Sequence, residues 1–141
     1  MKIVIASDHA GYELKQHIKE TLNKVDFIDV GTTSTESVDY PDFAHQAVSV
    51  FNKNKHEKII LICGSGNGIN MTANKYSNIR SALCWSDEIA RLARLHNDAN
   101  SLALPARYIT NEEAVKIVNV FITTLFEEGR HQRRKEKISC V

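Results

Sequence analysis

Cys63 opens the run Cys63-Gly64-Ser65-Gly66-Asn67-Gly68, in which a thiol precedes three glycines at alternate positions. Such glycines let the backbone turn tightly and expose consecutive amides, which at a helix start favour an anion or a developing oxyanion. The same field is expected to lower the pKa of Cys63 and raise its thiolate fraction. The bland alternative is a tight strand–helix turn holding an inert buried cysteine. Asp8-His9, just after the first apolar run, forms a second candidate cluster, and His96-Asn97-Asp98 a third. A histidine near a helix C-terminus is often only a favourable dipole partner. The densest basic run is Arg130-His131-Gln132-Arg133-Arg134-Lys135-Glu136-Lys137. If helical, it sets Arg130 and Arg134 on one face, a geometry suited to clamping a phosphate. A solvated basic terminus is the plain alternative. A non-specific nucleic-acid contact is a third, weakened by Glu136 and by the lack of interleaved aromatics.

Several chemistries are excluded by spacing. No Lys-Ser/Thr pair follows the glycines, so the loop is not a Walker A cradle, and G-x-G-x-G lacks the third spacing of the dinucleotide fingerprint. Ile69 stands where a cysteine phosphatase would need an arginine. The six histidines show no i, i+4 pair or other metal-ligand spacing, so no metal site is expected. His17, His45, His56 and His131 read mostly as surface residues.

The elements that position these groups alternate. Lys2–Ala6, Val25–Val30, Lys58–Ile62, Ser81–Cys84 and Ser101–Leu104 read as strands, the third apolar throughout after its lysine, as where both sheet faces are covered. Between them run helical stripes. Leu14, Ile18 and Leu22 mark the first, and Ala44, Ala47, Val48 and Phe51 the second, with Pro41 in its opening turn. A short helix follows the glycine loop to about Lys75. Ser86 caps the next, which carries Ile89, Leu92, Ala93 and Leu95. Thr110 and Glu113 form a capping box for the last, which carries Val115, Val118, Phe121, Ile122 and Leu125 and ends at Gly129 before the basic tail. The pattern predicts an α/β fold: a three-layer, doubly wound (Rossmann/flavodoxin-like) sandwich with a mostly parallel five-stranded sheet. One domain is expected over 1–141, with the basic tail at 130–141.

Composition agrees with a globular chain. Of 141 residues, 43% are hydrophobic and 25% charged, too apolar for disorder, and the net charge of +1 argues against a surface built for nucleic acid. No apolar run is long enough to span a membrane, and the short run after Met1-Lys2 is no signal peptide. Three cysteines without a CxxC pair indicate neither a disulfide framework nor structural zinc, so a reduced cytoplasmic compartment is expected. Cys84 reads as core and Cys140 as exposed terminus.

Taken together the motifs resemble those of the type B ribose-5-phosphate isomerases from the first strand to the tail. The carriers are Ser7-Asp8-His9-Ala10-Gly11, Asp39-Tyr40-Pro41, Ile62-Cys63-Gly64-Ser65-Gly66-Asn67-Gly68-Ile69, Ala73-Asn74-Lys75, His96-Asn97-Asp98-Ala99-Asn100 and Gly129-Arg130-His131-Gln132-Arg133-Arg134. The resemblance implies interconversion of ribose 5-phosphate and ribulose 5-phosphate with no metal or organic cofactor. It implies Cys63 as the base moving a proton between C2 and C1 through an enediolate. The Gly64, Gly66 and Gly68 loop would hold the enediolate oxygens together with Asn67, and Ser65 would protonate one of them. It further implies His96 as the ring-opening acid helped by Asp8, and Asn97 bonded to the sugar. His9, Arg107, Arg130 and Arg134 would hold the sugar or its phosphate. Leu104-Pro105-Ala106-Arg107 departs from the usual Phe-Gly-Ser-Arg-like segment, so the resemblance does not fix the pose of Arg107.

Chain direction adds a consequence. Asp8 and Cys63 follow their strands and lie at the carboxyl edge of the sheet. His96 and Arg130 follow helices that return to the opposite edge, ~17 Å away across about five strand residues. A composite site is therefore expected, shared between subunits of a homodimer or homotetramer. The rivals are an allose 6-phosphate or galactose 6-phosphate isomerase and, from another class, a non-catalytic module binding a phosphorylated ligand.

Overall fold

A computed structural model describes residues 1–55 and 57–139; His56 and Cys140, both read above as exposed, lie outside the described residues. Five strands, β1 (Lys2–Ser7), β2 (Asp26–Asp29), β3 (Lys58–Cys63), β4 (Ser81–Leu83) and β5 (Ser101–Pro105), form one sheet in the order β2-β1-β3-β5-β4. All four pairings are parallel. The helices are α1 (Tyr12–Thr21), α2 (Tyr40–Asn54), α3 (Asn67–Ala73), α4 (Asp87–Asn97), α5 (Asn111–Thr123) and α6 (Arg130–Glu136).

The strands alternate their side chains between two cores, which is why the central ones read as unbroken apolar runs. Ile3, Ile5, Ile60, Ile62, Leu102 and Leu104 pack against α1, α4 and α5, whereas Val4, Ala6, Ile59, Leu61 and Cys63 pack against α2 and α3. The three-layer α/β class expected from the pattern is the one observed. Chain order reverses direction between β1 and β3, so the crevice outside their carboxyl ends is where ligands bind in open sheets of this kind. Asp8 and Cys63 end those two strands.

The two expected hydroxyl caps form: Ser86 Oγ accepts from the Ile89 amide and Thr110 Oγ1 from the Glu113 amide. The end of α5 differs from expectation. The helix stops at Thr123 and residues 124–129 are non-helical, so Gly129 does not terminate it but precedes α6 with a φ of 59°. Leu125, assigned above to the apolar stripe, is accordingly 81% exposed. The hydrophobic period of α5 ran on into a segment whose backbone had already left the helix.

Lys15 is 1% exposed, and its Nζ donates to both Asp29 oxygens at 2.8 Å and to the Thr32 carbonyl at 2.7 Å. Burial pushes the Asp29 carboxyl up, but its bonds to Lys15 and Lys19 and to the Gly31 amide hold it below the usual range. This joint pins the loop after β2, where a Cβ on Gly31 would lie 2.5 Å from Ser7 N. Replacing Lys15 by Met keeps the volume, leaves Lys19 on Asp29, and orphans the Thr32 carbonyl. The expected cost is about 2–3 kcal/mol, read as a fall in Tm of roughly 6–10 °C. Because the folded pKa of Asp29 is depressed, this stabilisation is present above the unfolded carboxylate value and lost as pH falls through the folded one. The difference in Tm between the two proteins should therefore shrink below about pH 4.

Candidate active site

Cys63 is the last residue of β3 and 4% exposed. Its Sγ shares a cleft of about 330 Å³ with Asp8, His9, Tyr40, Gly64, Ser65, Gly68, Arg107 and Tyr108. The loop that follows turns through Gly66 at φ 76°, where a Cβ would also come within 2.4 Å of Leu83. No other residue type enters that turn without strain. Ser65 Oγ accepts from the Asn67 amide at 3.2 Å, leaving its own proton free to donate into the cleft. Gly66 and Asn67 build the turn without lining the cleft.

The amides of Ile69, Gly66 and Ser65 do pull the Cys63 thiol down, as the glycine pattern suggested. They do not win. Burial pushes the thiol up, the Asp8 carboxylate beside it adds to that, and the net shift is upward. The expected lowering is thus corrected: composition and spacing predict the amides, but the depth at which β3 buries its last residue opposes them. Cys84 lies in the core as expected, and burial raises its thiol to about 12.

Asp8 is 5% exposed and its Oδ1 accepts from the Ala10 and Gly11 amides, capping a single 3-10 turn, His9–Gly11. That turn fixes His9, whose Nδ1 accepts from the Val38 amide at 3.2 Å. The ring therefore carries its proton on Nε2 and offers a donor. Arg107 has a defined pose despite the Pro105-Ala106 departure. Pro105 is paired with Cys63 at the end of the β3–β5 ladder, and the Ala106 and Arg107 amides donate to the Cys63 and Gly64 carbonyls. A Cβ on Gly64 would lie 2.9 Å from an Arg107 guanidinium nitrogen. The guanidinium lies directly over the cysteine loop.

The remaining candidates lie elsewhere. His96 and Asn97 end α4, beside the start of β5, where the Asn100 carbonyl accepts from the Ile59 amide at the entrance of β3. Asn97 lines a second cleft, of about 620 Å³, with Lys75, Arg80 and Lys135. The basic tail is helical. His131 and Lys135 form the face of α6 that packs on α4, while Arg130 and Arg134 are exposed on its outer side. Within one chain, Asp8, His9, Cys63, Gly64, Ser65, Gly68 and Arg107 are together, and His96, Asn97, Arg130 and Arg134 are not with them.

His131 overturns its reading as a surface residue. It is 5% exposed, and its ring stacks on His96 with centroids 4.1 Å apart. The Glu127 carboxylate lies 3.7 Å from His96 Nε2 and 3.8 Å from His131 Nε2. Burial, His96 and the flanking Arg130 and Arg134 lower the His131 pKa against the pull of Glu127, which favours the neutral ring. Among the described residues these three form a close group with metal-ligating atoms, all within 4.8 Å. Histidine spacing could not show it, because residues 96 and 131 meet only through the packing of α6 on α4. The i, i+4 pair Glu127 and His131 was the available signal. Tyr40 and Tyr108, on the cleft wall, were also missed as site residues, although Tyr40 sits inside the quoted Asp-Tyr-Pro turn.

Known proteins match this chain over nearly its whole length. The family profile described as Ribose/Galactose Isomerase matches residues 3–138. The ribose-5-phosphate isomerase B of Escherichia coli is 40% identical over 142 residues, covering 99% of this chain and 95% of that one. The crystal structure of a ribose 5-phosphate isomerase from Thermotoga maritima superposes with a TM-score of 0.95 at 49% identity, covering 99% and 98% of the two chains. The Mycoplasma genitalium ribose-5-phosphate isomerase B, solved with bound ribulose-5-phosphate, superposes at 0.90 with 44% identity, over 97% and 93%. No described helix is long and apolar enough to cross a membrane. The chain belongs to the Ribose/Galactose Isomerase family, with the type B ribose-5-phosphate isomerases, and is a sugar-phosphate isomerase.

Proposed function

We propose that the protein interconverts ribose 5-phosphate and ribulose 5-phosphate through an enediolate, in the cytoplasm and without metal or organic cofactor. The observation that carries this reading is the Cys63 thiol on the wall of the β1/β3 crevice, with Asp8, Ser65 and the Arg107 guanidinium around it. In the aldose-to-ketose direction the Cys63 thiolate takes the proton from C2 and returns it to C1, while Ser65 donates its hydroxyl proton to O1 and is restored by the proton that O2 gives up. The loop around Gly64, Gly66, Asn67 and Gly68 surrounds the developing negative charge, and Arg107 adds a fixed positive one. His9 donates from Nε2 to the sugar or its phosphate. The ribulose-5-phosphate bound to the Mycoplasma genitalium relative supports a substrate of this class.

His96 opens the furanose ring as an acid, Asn97 bonds the sugar, and Arg130 and Arg134 hold the phosphate, all from a second subunit. Two features support that division. The His96 group stands at the opposite edge of the sheet, a full length of β3 from Cys63, and both arginines point outward from their own chain. A two-fold pair would build two such sites, in a homodimer or a tetramer of dimers.

The thiol's raised pKa sets the pH test. At neutral pH the free enzyme holds mostly the thiol, and the thiolate fraction grows tenfold per pH unit below the pKa. The logarithm of kcat/KM, which reports the free enzyme, should climb with a slope near one through about pH 6–8. It should level only above the ordinary thiol value, alongside a thiolate absorbance present in wild type and missing in Cys63→Ala. A flat profile over that range, or a plateau unrelated to the thiolate signal, would remove Cys63 from the role of base.

A further inference from the structure

We propose that Asp98 is a positioning residue for the isomerisation, registering the arginine-bearing helix α6 against the end of α4 that carries His96 and Asn97. The proposal rests on the reading that Arg130 and Arg134 hold the substrate phosphate, and extends it to a residue that touches no substrate.

Asp98 terminates α4 in the left-handed region, φ 47° and ψ 46°, a conformation that aspartate and asparagine tolerate better than most residues. Its carboxylate then meets cations from three directions. Oδ1 accepts from Arg94 at 2.9 Å, and Oδ2 accepts from Lys135 of α6 at 3.1 Å and from Arg80, before β4, at 3.4 Å. Arg80 Nε also donates to the Asp98 carbonyl. Arg94 is 6% exposed and reaches onward to the Ala99 and Thr124 carbonyls, at 2.6 and 3.0 Å. Thus one carboxylate joins the end of α4, the approach to β4, the segment after α5, and α6. Burial would push the Asp98 carboxyl up, but Arg94 and Lys135 keep it below the usual range, so the charge that holds the joint persists.

The functional weight lies in what α6 is. Seven residues are too few for a helix to stand unsupported. Its described side-chain ties to the rest of the chain are the His131 stack on His96, the His131–Glu127 pair at 3.8 Å, the Lys135–Asp98 pair, and Lys135 over the Phe126 ring at 4.9 Å. Two of the four run through Lys135, the residue immediately after Arg134, and the other two through His131, the residue immediately after Arg130. Among the described residues, the Arg130 and Arg134 guanidinium groups make no hydrogen bond or ion pair with their own chain. Where those guanidinium groups stand relative to His96 is therefore decided by the inner face of α6, which His131 seats at one turn and Asp98, through Lys135, at the next. A solvent-exposed pair would be too weak and mobile for this, but here the carboxylate is 27% and Arg94 and Lys135 are 8% and 20% exposed.

The test uses two variants of the full chain. Asp98→Asn keeps shape and left-handed tolerance while removing the charge, and Lys135→Met removes only the α6 arm, so it carries the test if the first misfolds. Each should raise KM for ribose 5-phosphate about tenfold while kcat stays within about threefold. Competitive inhibition by inorganic phosphate should weaken by the same factor as KM rises. Because Asp98 acts through the arginines, Asp98→Asn added to Arg134→Ala should raise KM no more than about twofold beyond Arg134→Ala alone. A lowered Tm with unchanged KM and phosphate inhibition, or full additivity in the double variant, overturns the proposal. A raised KM in Arg134→Ala beside wild-type KM in both joint variants sinks this inference alone. An unchanged KM in Arg134→Ala removes the phosphate-clamp reading, and the inference with it.

Discussion

Cys63→Ala is expected to lower kcat for ribose 5-phosphate by about 10³-fold, within the 10²–10⁴ that a positioned general base contributes, while KM changes by less than about threefold. The asymmetry follows from placement. In the proposed mechanism the phosphate and sugar contacts come from His9, Arg107 and the tail arginines, none of which the substitution replaces. Only the atom proposed to accept the C2 proton is removed. The small void at a 4% exposed position costs some stability, so a Tm measured beside the rate separates unfolding from lost chemistry. Cys63→Ser is the sharper companion. It refills the space with an oxygen whose proton is far harder to remove, and should be about as inactive as the alanine. Exchange of solvent tritium into the product reports the proton transfer itself and should fall in step with kcat. If either variant retains more than about a tenth of wild-type kcat, the thiol is not the base, and Asp8 becomes the carboxylate to examine.

Two inactive proteins, Cys63→Ala and His96→Ala, are expected to regain activity when their subunits assemble together. In a two-fold pair with shared sites, the mixed dimer holds one site carrying both substitutions and one carrying neither. Random assembly makes half the dimers mixed, so an equal mixture should recover about a quarter of wild-type turnover. Co-expression of the two chains from one cell guarantees the exchange, and each variant expressed alone sets the background. The expectation rests on β3. Cys63 leaves its carboxyl end while the Asn100 carbonyl, four residues after His96, meets its entrance, so a small sugar phosphate cannot bridge both ends within one chain. Recovery no greater than the background would mean that the two groups never act on the same molecule, and His96 would lose its role as the acid.

Much of the fold was legible in the chain because the signals for it are local. The unbroken apolar run of β3 marks a strand covered on both faces. Ser86 and Thr110 announce their helices because a hydroxyl reaches an amide only three residues away. The glycines after Cys63 are dictated by a turn that folds back on itself within a few residues. Where the local signal is ambiguous, the reading slips, as at Leu125, whose apolar side chain continues the α5 period beyond the last helical hydrogen bond.

Asp8 and Cys63 could also be named from sequence, since they must follow the strands on either side of the point where strand order reverses, whereas the cleft residues Tyr40 and Tyr108 could not. The state of the sulfur could not. Its pKa is a contest between amides two to six residues away, which spacing reveals, and the burial and the Asp8 carboxylate, which only the packed sheet supplies. The same division governs the far edge. Sequence places His96 at the end of α4 and two arginines one turn apart in the tail. The stacking of His131 on His96 and the gathering of Arg80, Arg94 and Lys135 on Asp98 join residues as many as 37 apart. Periodicity and capping are set by the nearest few peptide units, whereas contacts between elements depend on how whole helices seat on the sheet, and that is decided by tertiary packing alone.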